Sequence, residues 1–410
     1  MERHVERRAI TRRLIRKASC ASAAAVIAAA LAVAGCGSSS SEDQSTGSSP
    51  ASTSQTGTSA SGTTQTLAEA KAAARLEGPT PTGPRAVSGK RIWWVGCGDK
   101  FEACADGVRY FRDAGKILGW TVEAPDTQGS TAIQNQVIRT AIAAKADAIV
   151  IESVDCPPIK SALQAAKAAG IPVVDLFGLN CDNPAFDGGP SLFVSPRYGG
   201  TTDVARLFAD RGVSDARVML AVLREKGVEK PEVAYVNSGA DQVFWVAYWD
   251  KWTEFMKENC PDCRLNNAGF NVAQWPNPGT QIAQTALNAH PGTNAVAYAS
   301  DFVLASSLAG PIFARDKVVC CGDGLTQSRD KIRSGGMEIA NSGTLLPWEM
   351  MSWGVASTVN RLLAGEDPER LPNEGSGFAY VDRENVGEPG SPVRVPVDFK
   401  AIYTKMWTGR

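Results

Sequence analysis

The sequence predicts an α/β fold of two doubly wound lobes with a ligand cleft between them, and three observations carry that reading. The chain has 410 residues, more than one ordinary core holds. From residue 90 onward, short apolar or β-branched runs alternate with stretches of helical apolar spacing. The alternation restarts after Gly199-Gly200, so two βα series follow one another. Each series implies a parallel sheet covered by helices.

The first series opens with the strand Arg91-Ile92-Trp93-Trp94-Val95, followed by a helix over 103–118 and a strand over 120–123. Ile133, Val137, Ile138, Ala141 and Ile142 recur at helical spacing, and Ala148-Ile149-Val150-Ile151 is a near-continuous apolar run, the mark of a buried central strand. Ile159, Leu163 and Ala166 define the next helix, which Gly170 ends before a strand over 171–174. The second series predicts a helix over 202–209, a strand over 232–236, a helix over 241–258 and a short strand over 264–268. Helices over 281–289 and 302–313 then lead to strands over 295–299 and 317–321. A helix over 327–334, a strand over 337–340, a helix over 349–363 and an irregular tail complete the chain.

The N-terminus is an export address. Arg7, Arg8, Arg12, Arg13, Arg16 and Lys17 precede an uncharged Ala-rich run over 18–35, the charged and apolar regions of a signal peptide. The run ends in Val33-Ala34-Gly35-Cys36, which looks like a bacterial lipobox, with 1–35 removed and Cys36 carrying the lipid. An uncleaved membrane anchor is the other reading, and both place the remaining chain on the extracytoplasmic side of the cell membrane. Residues 36–88 are rich in Ser, Thr, Gly and Pro and read as a flexible tether, with 67–76 a transient helix. Without 1–35 the chain holds 35 Lys/Arg against 41 Asp/Glu, so no basic surface remains for nucleic acid.

Two histidines, His4 and His290, cannot build a His-rich metal site, and His290 sits in a turn, Asn288-Ala289-His290-Pro291-Gly292. No metal, no cofactor and no catalytic constellation is expected. Eight cysteines beyond Cys36 suit an oxidising compartment. Sequence proximity pairs Cys97 with Cys104, Cys156 with Cys181 and Cys260 with Cys263, while the adjacent Cys320 and Cys321 stay open. Cys260-Pro261-Asp262-Cys263 imitates a thiol oxidoreductase site, but a helix C-terminus raises a thiol pKa rather than lowering it. Gly96-Cys97-Gly98 imitates a dinucleotide loop, yet Phe101 fills the place of its third glycine.

Asp147-Ala148-Ile149-Val150-Ile151 with Gly170-Ile171-Pro172-Val173-Val174, then 289–296 leading into Ser300-Asp301, then Gly322-Asp323-Gly324, resemble type I periplasmic binding proteins of the ribose-binding class. The resemblance implies two Rossmann-like lobes joined by three crossover segments, with 90–194 and 344–372 in lobe one and 195–343 and 373–410 in lobe two. It further implies a monomer that captures a small solute, sugar or sugar-like, by lobe closure and delivers it to ABC permease subunits. A ligand-presenting receptor for a membrane sensor is the alternative.

In open α/β sheets ligands meet the loops beyond the strands' carboxyl ends. Those loops hold Asp99, Phe101, Ser153, Asp155, Asp175 and Phe177 in the first lobe, and Asn237, Ser238, Ser300, Asp301, Asp323 and Asn341 in the second. On the helix over 241–258, Phe244, Tyr248 and Phe255 form a core stripe, while Trp245 and Trp249 form a neighbouring stripe expected to face the cleft, with Trp348 a similar candidate. The resemblance matches Asp301 and Asp323 to family positions. It departs at Phe177 and Gly178, where sugar binders of the class carry an Asp-Arg pair, and near Trp249, where they carry an Arg. Loss of both guanidiniums points to a ligand less hydroxylated, more apolar or cationic than a free pentose.

Overall fold

A computed structural model describes residues 65–186, 189–275, 277–314, 317–391 and 393–410. The expected signal peptide, Cys36 and most of the expected tether lie outside these residues. No helix among the described residues is long and apolar enough to cross a membrane.

In chain order the elements are α1 (Leu67–Ala74), β1 (Arg91–Val95), α2 (Glu102–Leu118), β2 (Thr121–Glu123), α3 (Thr131–Ala143), β3 (Ala148–Glu152), α4 (Cys156–Ala168) and β4 (Val173–Leu176). There follow α5 (Val204–Glu225), β5 (Glu232–Val236), α6 (Val243–Asn259), β6 (Arg264–Asn267), α7 (Gly279–Asn288), β7 (Ala295–Tyr298), α8 (Ala309–Ile312), β8 (Val318–Cys321) and α9 (Thr326–Ser334). The last are β9 (Ala340–Asn341), α10 (Trp348–Leu363), β10 (Tyr380–Val381) and α11 (Phe399–Thr408).

Two four-stranded parallel sheets result, ordered β2-β1-β3-β4 and β6-β5-β7-β8. Successive strand residues point to opposite faces, and both faces are buried. Thus Trp93, Val95, Ile149 and Ile151 pack against α3 and α4, while Ile92, Trp94, Ala148 and Val150 pack on the α2 and α10 side. In the second sheet Val233, Ala295 and Val318 face α5 and α6, and Ala234, Val296 and Val319 face α7 and α9. Crossovers near 195–203, 342–347 and 373–379 join the lobes. The first and third are tied by the Arg197–Asn373 bridge and by the Gly199 amide, which donates to the Gly375 carbonyl.

Several elements differ from expectation. The tether does not extend to residue 88. Thr66 caps α1 through a reciprocal bond with Glu69, and Ala70, Ala74 and Leu76 are buried against the folded part. The helix expected over 202–209 runs on as α5 to Glu225, and its later turns bury the charged Arg211 and Asp215. The helix expected over 302–313 divides into a 3₁₀ segment, Asp301–Ala305, and α8. Ser306 Oγ takes the Val303 carbonyl and the Leu308 amide, competing with the helical ladder. The strand expected over 337–340 is β9, which pairs antiparallel with β10. The tail is not irregular, nor does it all belong to lobe two: α11 stacks Trp407 on Trp353 of α10, ring centroids 5.6 Å apart, and so joins lobe one. The terminal segments make two further passes between the lobes.

Candidate functional site

The carboxyl ends of both sheets face a cavity of about 570 Å³ lined from the two lobes and from the start of α10. In lobe one, Phe101 precedes α2, Asp155 precedes α4, and Phe177 follows β4. Asp155 is half-buried and accepts the Leu179 amide at 2.9 Å, and burial pushes its carboxyl above the usual range. Ser153 and Phe177 hold φ of +54° and +75°, a conformation that costs a bulky residue about 1 to 3 kcal/mol. Asp175 stabilises that turn by accepting the Gly178 amide at 2.8 Å. Its carboxyl is buried behind the cavity and desolvation raises it to about 7.

In lobe two, Asp301 and Asp323 lie side by side in the loops just beyond β7 and β8. The Asp301 amide donates to Asp323 Oδ1 at 2.8 Å, and Asp301 accepts Leu325 N at 2.7 Å and Ser328 Oγ at 2.6 Å. Burial, then the neighbouring Asp323 charge, pushes Asp301 up to about 8, and burial raises Asp323 as well. Gly322, with φ +60°, permits this approach, since a Cβ there would stand 2.3 Å from Asp301 Oδ1. Beneath both strand ends, Arg211 donates to the Ala299 and Gly322 carbonyls at 2.7 Å and to Asp215 Oδ2 at 3.1 Å. Tyr248, Tyr380 and Asn341 also donate to the buried Asp215. Trp348 Nε1 donates to the Asp323 carbonyl at 2.9 Å, with its ring edge-on to Phe177.

Of the residues expected from sequence, Phe101, Ser153, Asp155, Phe177, Ser238, Trp245, Ser300, Asp301, Asp323 and Trp348 line the cavity together. Five do not. Asn237 is buried and accepts the Gly239 amide. Asp99 is exposed, its amide bonded to Asp126. Asp175 serves the turn described above, and Asn341 serves the Asp215 network. Trp249 is packed among Tyr235, Tyr248 and Trp252 at 4.8 to 5.4 Å. Four residues along a helix overshoot a full turn by about 40° and rise about 6 Å, enough to carry Trp249 from cleft to core. Phe244, expected in the core stripe, packs against the core on Phe208 and also lines the cavity.

Sequence reasoning also missed Glu102, Phe208 and Phe302, which line the cavity. Glu102 Oε1 accepts the Thr326 amide at 2.9 Å, and Phe101 meets Phe302 at 5.4 Å, so both contacts span the lobes. An acid at the first turn of a helix and a Phe after Asp301 carry no signal of this. The structure bonds Cys97 to Cys104, Cys156 to Cys181, Cys260 to Cys263, and Cys320 to Cys321. Cys97 and Cys104 lie beside Glu152, but sulfurs joined to each other offer no thiolate to a metal.

Residues 102–367 match the family model described as the periplasmic binding protein domain. No curated protein matches the chain in sequence. Among solved structures, an ABC sugar transporter subunit from Rhodobacter sphaeroides is 16% identical, with TM-score 0.51, over 73% of this chain and 100% of that one. The binding protein of an arabinose ABC transporter from Shewanella sp. ANA-3, bound to arabinofuranose, is 17% identical, with TM-score 0.53, over 77% and 95%. A periplasmic ribose ABC transporter protein from Conexibacter woesei is 16% identical, with TM-score 0.53, over 74% and 94%. At these identities the likeness establishes the fold.

Proposed function

The chain belongs to the periplasmic binding protein family, a family of solute-binding proteins rather than enzymes that work outside the cytoplasm, and from that premise we propose how it works. It captures a small solute of sugar size by lobe closure and delivers it to the permease subunits of an ABC importer. One observation carries this reading: a single cavity of about 570 Å³, lined from the carboxyl ends of two separate sheets whose connections are narrow crossovers. A ligand touching both walls binds the closed form selectively and shifts the population toward it. The sugars named for the solved relatives, arabinose and ribose, support a solute of single-ring size. We propose also that Cys36 carries a diacylglycerol anchor and that the protein acts as a monomer.

The test combines scattering with thermal unfolding. Fractions of a metabolite extract are expected to contain a solute that reduces the radius of gyration and raises the melting temperature together. A solute at a hundred times its dissociation constant adds about 2.7 kcal/mol to native stability. If every stabilising fraction leaves the radius of gyration unchanged, closure is refuted. Separately, Cys36→Ser is expected to move the protein from the detergent phase to the aqueous phase, and unchanged partition removes the anchor.

A further inference from the structure

Given that capture reading, we propose that the solute is an organic cation, a protonated or quaternary amine carried on an aromatic or apolar body. Three features of the cleft point the same way. Aromatic rings face the cavity from both lobes: Phe101 of lobe one meets Phe302 of lobe two, Phe177 and Trp348 meet edge to face at 6.0 Å, and Phe208 meets Trp245 edge to face at 4.9 Å. Ring faces of this kind attract an ammonium, and Lys100 Nζ already stands over the Phe101 ring at 4.9 Å.

The second feature is unbalanced acid. Four acids and one cationic side chain, Lys100, line the cavity; Glu102 pairs with Arg329 at 3.8 Å, and Asp301 and Asp323 are buried side by side with both carboxyls raised, which leaves Asp155. Among the described residues no Lys, Arg or His lies within ion-pair distance of Asp155, Asp301 or Asp323. Arg211 beneath the strand ends tempers Asp323, and Asp301 spends its oxygens on Leu325, Ser328 and Asp323. Asp155 is therefore the anchor: its Oδ1 holds the Leu179 amide, and its other oxygen has no hydrogen-bond partner among the described residues. A half-buried carboxylate without a countercharge is relieved by an incoming ammonium.

The third feature is the missing donor fork. Adjacent hydroxyls of a sugar are read by a guanidinium that donates two parallel bonds, and no arginine lines this cavity.

Calorimetry with phenethylamine, benzyltrimethylammonium, phenethyl alcohol, arabinose and ribose tests the proposal on the mature protein. The two cations are expected to bind more tightly than the alcohol and both sugars. Asp155→Asn keeps an oxygen for Leu179, so the fold should survive. It is expected to weaken phenethylamine by about tenfold or more while leaving phenethyl alcohol nearly unchanged. Phe302→Leu, which removes a ring and no charge, is expected to weaken both cations and the alcohol. Tighter binding of arabinose or ribose than of either cation, equal losses for amine and alcohol in Asp155→Asn, or no binding of either cation overturns the proposal. Contraction in scattering with a sugar would then keep the capture reading while discarding the cation. No contraction with any of the five probes or with a metabolite extract removes the capture reading itself.

Discussion

The two walls of the cleft are the same architectural object, the carboxyl end of a four-stranded parallel sheet, yet they are held by different forces. Lobe one uses covalent staples. Cys97–Cys104 ties the loop after β1 to the first turn of α2, and Cys156–Cys181 ties the start of α4 to the loop after β4. The two disulfides of lobe two, Cys260–Cys263 and Cys320–Cys321, each lie within one short segment and tie no two loops together at the cavity; this wall uses a buried polar network instead, in which Arg211 bonds the carbonyls just beyond β7 and β8 and Asp215 collects Arg211, Tyr248, Tyr380 and Asn341. The staples act mainly by restricting the unfolded chain, whereas the network works only when every member is in place. One wall should therefore fail gradually as single links are removed, and the other all at once.

The largest expected effect is in lobe two. Asp215→Ala strips four donors of their acceptor and leaves Arg211 buried without its countercharge, a loss of about 3 to 5 kcal/mol in denaturant unfolding. The double replacement Arg211→Leu with Asp215→Leu is expected to recover part of it. A single-variant loss below about 1 kcal/mol would mean that the network does not hold this wall.

Removing Cys156 and Cys181 together, as alanines, opens a loop of sequence separation 25 and is expected to cost about 3 kcal/mol; removing Cys97 and Cys104, with separation 7, about 2 kcal/mol. The reverse order would show that loop closure does not set the strength of these staples.

Next comes pH. Asp175 in lobe one and Asp301 in lobe two have native pKa values of about 7 and about 8 against an ordinary 3.8, so the native state holds these protons more tightly than the unfolded state. Their stabilisation is full below the ordinary value and is lost as pH rises through 7 and 8. Stability should fall by about 1 to 2 kcal/mol per group between about pH 6 and 7.5, and Asp175→Asn or Asp301→Asn should each flatten its share of the slope. Stability that rises over this range in the parent protein would contradict both assignments.

The smallest effect is the contact between the walls. Glu102→Ala removes the acceptor for Thr326 and a long, half-buried pairing with Arg329 at 3.8 Å, so unfolding should change by only about 0.2 to 1 kcal/mol. The unliganded radius of gyration is expected to rise, because the link restrains opening more than folding. A radius identical to the parent's would show that Glu102 does not hold the lobes together.

Strands such as Ala148-Ile149-Val150-Ile151 and the loops after them were legible in the sequence, because a strand buried on both faces must be apolar throughout and its loop must then carry the polar residues. Hence Asp155, Asp301 and Asp323 could be placed near the cavity from local pattern alone. The same logic marked Asp175 and Asn341, whose neighbours in space, Gly178 and Asp215, engage them away from it. Arg211 and Asp215, four residues apart on α5, are buried with no local sign of it in the sequence, and the Ala-rich and C-terminal segments proved to be packed helices. By itself, then, the sequence determined the alternation of elements, the two-lobe plan and the strand ends that face the cavity, since these follow from periodicity within a dozen residues. Only the tertiary structure decided which acids keep a free oxygen, that Trp245 and not Trp249 faces the cleft, and which charges lie inside. Those outcomes depend on partners up to 165 positions away, as between Tyr380 and Asp215, and no local pattern encodes so distant a partner.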